Sequence, residues 1–229
     1  MGAGNTKSHA YMEGEQRSEP MTNYELFYSP GACSLAVHVL LREIGVPFTL
    51  TKADASEPDS KLLKANPRGQ VPTLVIDGEP LVEGAAILTY LAEQHESPFL
   101  PKAGMERARA LQWLAFANSS LHPLYSRFFG YRKKFADAFP KSEFYAPTHD
   151  GIQKCWDQVE AQLNKTRYVA GATPTLADIL LTVIAGWTPA LPQPITFGPK
   201  TTELLQTIGG WASYKQAQMA ERGEEKSAA

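Results

Sequence analysis

The chain has 229 residues, 43% of them hydrophobic, and sets 22 Lys and Arg against 24 Asp and Glu for a formal net charge of −2 at pH 7. That length buries a sizeable core in one large domain or two smaller ones, and the near-neutral balance leaves no broad basic field to hold nucleic-acid phosphates. No apolar run approaches the roughly 18 residues of a membrane span and the N-terminus lacks a signal peptide's apolar middle, so the sequence reads as a soluble, cytoplasmic protein with no nucleic-acid or membrane partner.

Residues 1–20 carry almost no large apolar side chains and read as a flexible extension; Gly2 and Thr6 fit the short N-myristoylation pattern, but nothing else points to a lipid anchor. From residue 24 the pattern alternates. "YELFY" has strand character, "SLAVHVLLREIG" places Leu35, Ala36, Val39 and Leu40 at helical spacing with Gly45 as its stop, and "FTLTKAD" is a second strand. A short helix is predicted around Ser60–Ala65. "VPTLVID" and "EPLVE" then flank Asp77-Gly78, a strong hairpin signal, and "GAAILTYLAEQH" adds a helix before "SPFLPKAG" breaks the chain.

Beyond the break the periodicity is helical, in "ERARALQWLAFANSSLHPLYSRFF", "GIQKCWDQVEAQLN", "TLADILLTVIAGW" and "TTELLQTIGGWASYKQAQM", and no strand is predicted after residue 100. Four prolines in "TPALPQPITFGP" predict a semi-rigid surface loop. Thr175 and Asp178 have the spacing of a capping box that starts a helix. These signals divide the chain into a sheet-containing domain over 21–97, a linker over 98–104, an all-helical domain over 105–222 and a tail over 223–229.

Two cysteines, Cys33 and Cys155, lie far apart and fit no metal-ligand spacing. Cys33 follows a Pro-Gly turn and begins a helix, where unpaired amides favour a thiolate and lower a thiol pKa to about 3.5 to 7.5. The same amides suit the thiolate of a bound small thiol; a buried, inert cysteine is the alternative. In "NPRGQVPTL", Pro72 heads a strand. A cis Val71-Pro72 bond would leave the Val71 amide and carbonyl free to pair with an extended peptide, whereas a trans bond would mark an ordinary edge strand. In "LVEGAAI", Glu83-Gly84 stands at a strand-to-helix junction that suits the ammonium and carboxylate of an α-amino acid, or Glu83 is only a cap.

"LFYSPGACSLAVHVLLREIG", "NPRGQVPTL", "LVEGAAILTYLAE" and "WLAFANSSLHPLY", found in this order, resemble glutathione transferases, and the surroundings of Cys33 look like the bacterial beta class. The resemblance implies an α+β thioredoxin-like N-terminal domain followed by an all-α C-terminal domain, a homodimer, and glutathione as co-substrate. It implies Cys33 beside the glutathione sulfur, Val71 pairing with the cysteinyl part, Pro72 as the cis-proline, Glu83 and Gly84 at the γ-glutamyl end, and His122 reaching in from the second domain. Ser34 is expected to donate to a thiolate or to cap its helix; Tyr28, Tyr125, Phe129 and Trp187, with Phe128, are expected walls for an apolar electrophile.

The sequence departs from the family in places. Pro123 replaces the usual lysine after the histidine and is expected to remove a cationic contact and kink its helix; Ala115 stands where asparagine is common, and "KADASEPDSKLLKA" offers no clear basic contact. Three activities are compatible with these residues: activation of the glutathione thiol for conjugation, thiol-disulfide exchange through Cys33, and ligand binding without catalysis.

Overall fold

A computed structural model describes residues 22–54 and 56–223. The extension read at residues 1–20, with Gly2 and Thr6, and the tail from residue 224 lie outside the described residues. The first half contains β1 (Tyr24–Tyr28), α1 (Ser34–Ile44), β2 (Phe48–Lys52), α2 (Lys61–Ala65), β3 (Thr73–Ile76), β4 (Glu79–Val82) and α3 (Gly84–Gln94). They build a mixed four-stranded sheet of order β2-β1-β3-β4, with β1 parallel to β2 and antiparallel to β3. Asp77 and Gly78 both take positive φ, 49° and 94°, as a tight hairpin between right-twisted strands requires. Ser60 caps α2 by accepting the Leu63 amide at 3.2 Å.

Every residue of α1 from Ser34 to Leu41 is buried, because the helix lies between the sheet's neighbour α3 and the helical domain's α7 and α9. Gly45 ends it in the left-handed conformation at φ 78°, donating its amide to the Leu41 carbonyl. The second half is helical: α4 (Gly104–Ala115), α5 (His122–Phe135), α6 (Tyr145–Leu163), α7 (Leu176–Ala185), α8 (Pro199–Gly209) and α9 (Ala212–Arg222). All of α7 is buried, which makes it the central post of that domain. No described helix is long and apolar enough to cross a membrane.

Two helical runs differ from the periodicity. The segment read from residue 106 to 129 is interrupted by a π-helical turn over Phe116–Leu121, immediately before His122 and Pro123. Pro123 has no amide hydrogen to give the carbonyl one turn earlier, and the wider turn absorbs that gap, so the expected distortion takes this form. The segment read from 201 to 219 splits at Gly209-Gly210 into α8 and α9, since paired glycines add backbone entropy and no packing to a continuing helix.

Candidate active site

A cleft of about 640 Å³ opens between the sheet-containing domain and α5. Its first wall is Cys33 at the start of α1, Val71 and Pro72 ahead of β3, and Glu83 and Gly84 where β4 turns into α3. His122 and Pro123 of α5 face them, with Leu88 and Leu180 at the apolar base. Of the residues singled out in the sequence, the structure therefore gathers Cys33, Val71, Pro72, Glu83, Gly84 and His122 on one cleft.

Local chemistry builds the first wall. Buried Asn66 donates to the Gln70 carbonyl at 3.1 Å and to Thr73 Oγ1 at 3.0 Å and accepts the Arg68 amide at 3.1 Å, so a single side chain ties the 66–73 loop. The Val71-Pro72 peptide bond at its end is cis. Glu83 sits at φ 72°, a conformation costly for a residue with a Cβ, and its side chain makes no cap; it pairs instead with Arg68 Nη1 at 3.1 Å in the open cleft. A Cβ at Gly84 would stand 3.5 Å from the Pro72 ring and 4.0 Å from Asn118 Oδ1, which fixes how closely the two walls approach.

Cys33 corrects the expectation of a lowered thiol pKa. Burial pushes its thiol up to about 11; the amides of Cys33 and Ser34 pull it down, but they do not overcome desolvation, to which the Glu83 charge adds. The protonated Sγ donates to the Val71 carbonyl at 3.3 Å, so that carbonyl is engaged and not free as the sequence suggested. Burial also lowers the His122 pKa, which keeps the imidazole neutral at pH 7.

Ser34, Tyr28, Tyr125, Phe129 and Trp187 stand outside the cleft lining. Ser34 is fully buried and its hydroxyl closes the turn, accepting from the Ser29 amide at 3.3 Å and donating to the Ser29 carbonyl at 3.4 Å. Tyr28 ends β1 with its phenol pushed up by burial and then by the Glu221 charge. Tyr125 is core: its hydroxyl meets Thr188 Oγ1 at 2.7 Å and accepts the Trp156 indole N–H at 3.1 Å. Phe128 is buried beside it, while Phe129 is exposed. Trp187 lies behind His122, ring centroids 5.0 Å apart, and packs edge-on with Tyr125 and Phe129. The expected aromatic wall thus supports the imidazole from behind.

Several neighbours were not foreseen. Arg68, Gln70, Asn118, Ser126 and Arg127 line the cleft, and Arg127, one turn beyond Pro123, restores a cation to the wall from which the family's lysine is missing. Helical spacing from His122 would have found Asn118 and Ser126. A second surprise lies under the turn that presents Cys33. Glu221, buried on α9, accepts the Gly31 amide at 2.9 Å, while the Trp187 indole N–H donates to the Gly31 carbonyl at 2.7 Å. The other Glu221 oxygen meets His38 Nδ1 at 3.2 Å, and Arg42 Nε donates to His38 Nε2 at 3.0 Å. The last helix therefore holds both the turn before Cys33 and the core of α1.

A mixed four-stranded sheet with a proline-headed strand, joined to a helical domain across a shared polar cleft, defines a thioredoxin-like domain with an all-α partner. The family model for the glutathione S-transferase N-terminal domain matches residues 31–94. The chain is 36% identical over 166 residues to glutathione S-transferase GST-4.5 of Xanthomonas campestris pv. campestris, covering 71% of this chain and 81% of that protein. It is 35% identical over 171 residues to glutathione S-transferase GstA of Escherichia coli O157:H7, with the same coverage, 71% and 81%. A solved beta class glutathione S-transferase of Sphingomonas chungbukensis superposes with TM-score 0.75 at 31% identity, over 88% of this chain and all of that one. A sphingomonad glutathione S-transferase solved with glutathione gives TM-score 0.76 at 32% identity, over 86% and 98%. The chain belongs to the glutathione S-transferase family, and the four relatives and structures just described are bacterial members.

Proposed function

We propose that this protein binds glutathione along the first wall of the cleft and activates its thiol for conjugation to a small electrophile, a detoxification-type reaction in the cytoplasm, where unpaired Cys33 and Cys155 stay reduced. The observation that carries the proposal is that Cys33, Val71, Glu83, Gly84 and His122, drawn from two domains, converge on one cleft. Glu83 takes the tripeptide's ammonium and the start of α3 its carboxylate. Glutathione supplies the nucleophilic sulfur, and the amides opening α1 donate to it, joined by the Cys33 S–H once that turns from the Val71 carbonyl, as the glutathione proton passes to water. The electrophile's apolar body packs on Leu88 and Leu180.

Conjugation is favoured over exchange through Cys33 because that thiol is protonated at neutral pH and already donates to Val71. Kinetics with a model electrophile and mass spectrometry after oxidised glutathione test this. Loss of a single S–H donor predicts that Cys33→Ala keeps conjugating with kcat/KM roughly tenfold lower. Adduct formation at Cys33 is expected to be slow at pH 7.5 and to accelerate as pH rises toward the pKa of about 11. A rapid adduct at pH 7.5, with activity abolished in Cys33→Ala, would assign the exchange reaction; glutathione binding without turnover would assign a binding protein.

The proposal includes a homodimer, with the domains divided at residues 98–104. An apolar groove between α3 and α4, lined by Ala85, Tyr90, Leu111 and Leu114, suits a second copy. Leu111→Arg is expected to convert a sedimenting dimer to monomer, and a wild-type monomer would remove this part of the proposal.

A further inference from the structure

The wall contributed by the helical domain is unlike the aromatic surface that the sequence led one to expect. Asn118, His122 and Ser126 recur at four-residue spacing along the π-helical turn and α5, and Arg127 adjoins them; all four line the cleft. No side chain of the four makes a hydrogen bond or ion pair with another described residue, although Asn118 and His122 are partly buried. Arg68, the other cleft arginine, is paired with Glu83 at 3.1 Å. A row of unpaired polar groups ending in an unpaired guanidinium is a recognition surface for a ligand that brings its own acceptors and a negative charge.

Its order along the helix assigns it to the second substrate. Asn118 stands by Gly84, at the end proposed for the γ-glutamyl group. His122 follows, lining the cleft with Cys33, and Arg127 lies a further five residues on, about 7 Å along the helix axis. Arg127 is thus past the sulfur, on the side toward which a group attached to sulfur extends. Resting on the glutathione reading above, we infer that the electrophile carries a carboxylate or similar anion which Arg127 holds, with Ser126 donating to a neighbouring oxygen. The apolar base at Leu88 and Leu180 takes the body of the same molecule.

Calorimetry on the full chain with a matched pair of conjugates tests the assignment without requiring turnover: S-(4-carboxy-2-nitrophenyl)glutathione, its methyl ester, and glutathione itself. The wild type is expected to bind the acid roughly tenfold more tightly than the ester, as one bidentate guanidinium–carboxylate contact allows. Arg127→Gln is expected to make the two equal while glutathione affinity moves less than twofold, and Arg127→Lys to keep part of the preference. Because Arg127 is exposed, both variants should fold. Equal wild-type affinities for acid and ester overturn the inference. So does a parallel loss of glutathione, acid and ester binding in Arg127→Gln, which would give the guanidinium to the tripeptide's own carboxylate. Failure of the wild type to bind glutathione or either conjugate overturns the glutathione reading as well.

Discussion

Asp178→Ala is expected to destabilise the fold by about 3 to 5 kcal/mol, because the substitution orphans several buried donors at once. Asp178 is fully buried at the start of α7, where it closes the capping box. Its Oδ2 accepts the Thr175 amide at 2.7 Å and the Thr175 hydroxyl at 2.9 Å, and its Oδ1 accepts the Val169 amide at 3.0 Å. The carboxylate therefore both starts the central helix and pins the loop that precedes it. Burial raises its pKa from 3.8 to about 6 against the pull of those donors. A carboxyl with a raised folded pKa binds protons more readily folded than unfolded, so its contribution is largest below about pH 4 and declines as pH rises through about 6. The cost of Asp178→Ala should accordingly be greater at pH 5 than at pH 7. Denaturant midpoints of both proteins at the two pH values check the sign, and a cost under 1 kcal/mol, or one that grows with pH, contradicts the account.

What could be read in the sequence was local. The alternation from residue 24, the Asp77-Gly78 turn and the Thr175–Asp178 spacing each depend on interactions within a few residues, and each appears at its expected place. Cys33 shows where such reasoning stops. Its position at a helix start correctly names the amides that favour a thiolate, but the sign of the shift is decided by burial, which a local pattern does not report. Tyr125 and Ser34 stand outside the cleft lining for a related reason: their hydroxyls are satisfied by Thr188, Trp156 and Ser29, contacts that composition does not reveal. Arg127 was within reach. Pro123 directed attention to the residue beside His122, whereas a helix returns to the same face a turn later.

Glu221 left no local trace at all, since its partner Gly31 is 190 residues away, and its removal is the second large effect we expect. Glu221→Ala takes the acceptor from the Gly31 amide and from His38 Nδ1, both in the interior, and leaves Arg42 bonded to an imidazole that has lost its other partner. About 3 to 5 kcal/mol of stability should be lost, as for other broken buried charged contacts. Glu221→Gln keeps one acceptor oxygen but turns an amide N–H₂ toward the remaining donor, so about half that loss is expected. The functional consequence follows from the second anchor on the same residue. Trp187 holds the Gly31 carbonyl and packs on His122, so freeing the Gly31 amide loosens the turn before Cys33 and its aromatic backing together. Glutathione affinity should therefore fall in both variants, and Cys33 should alkylate faster at pH 7.5 as its thiol becomes more accessible. Calorimetry and timed alkylation under conditions where the variants remain folded separate this from a stability effect alone. Unchanged affinity and alkylation in a folded Glu221→Gln protein would mean that the last helix only braces the core.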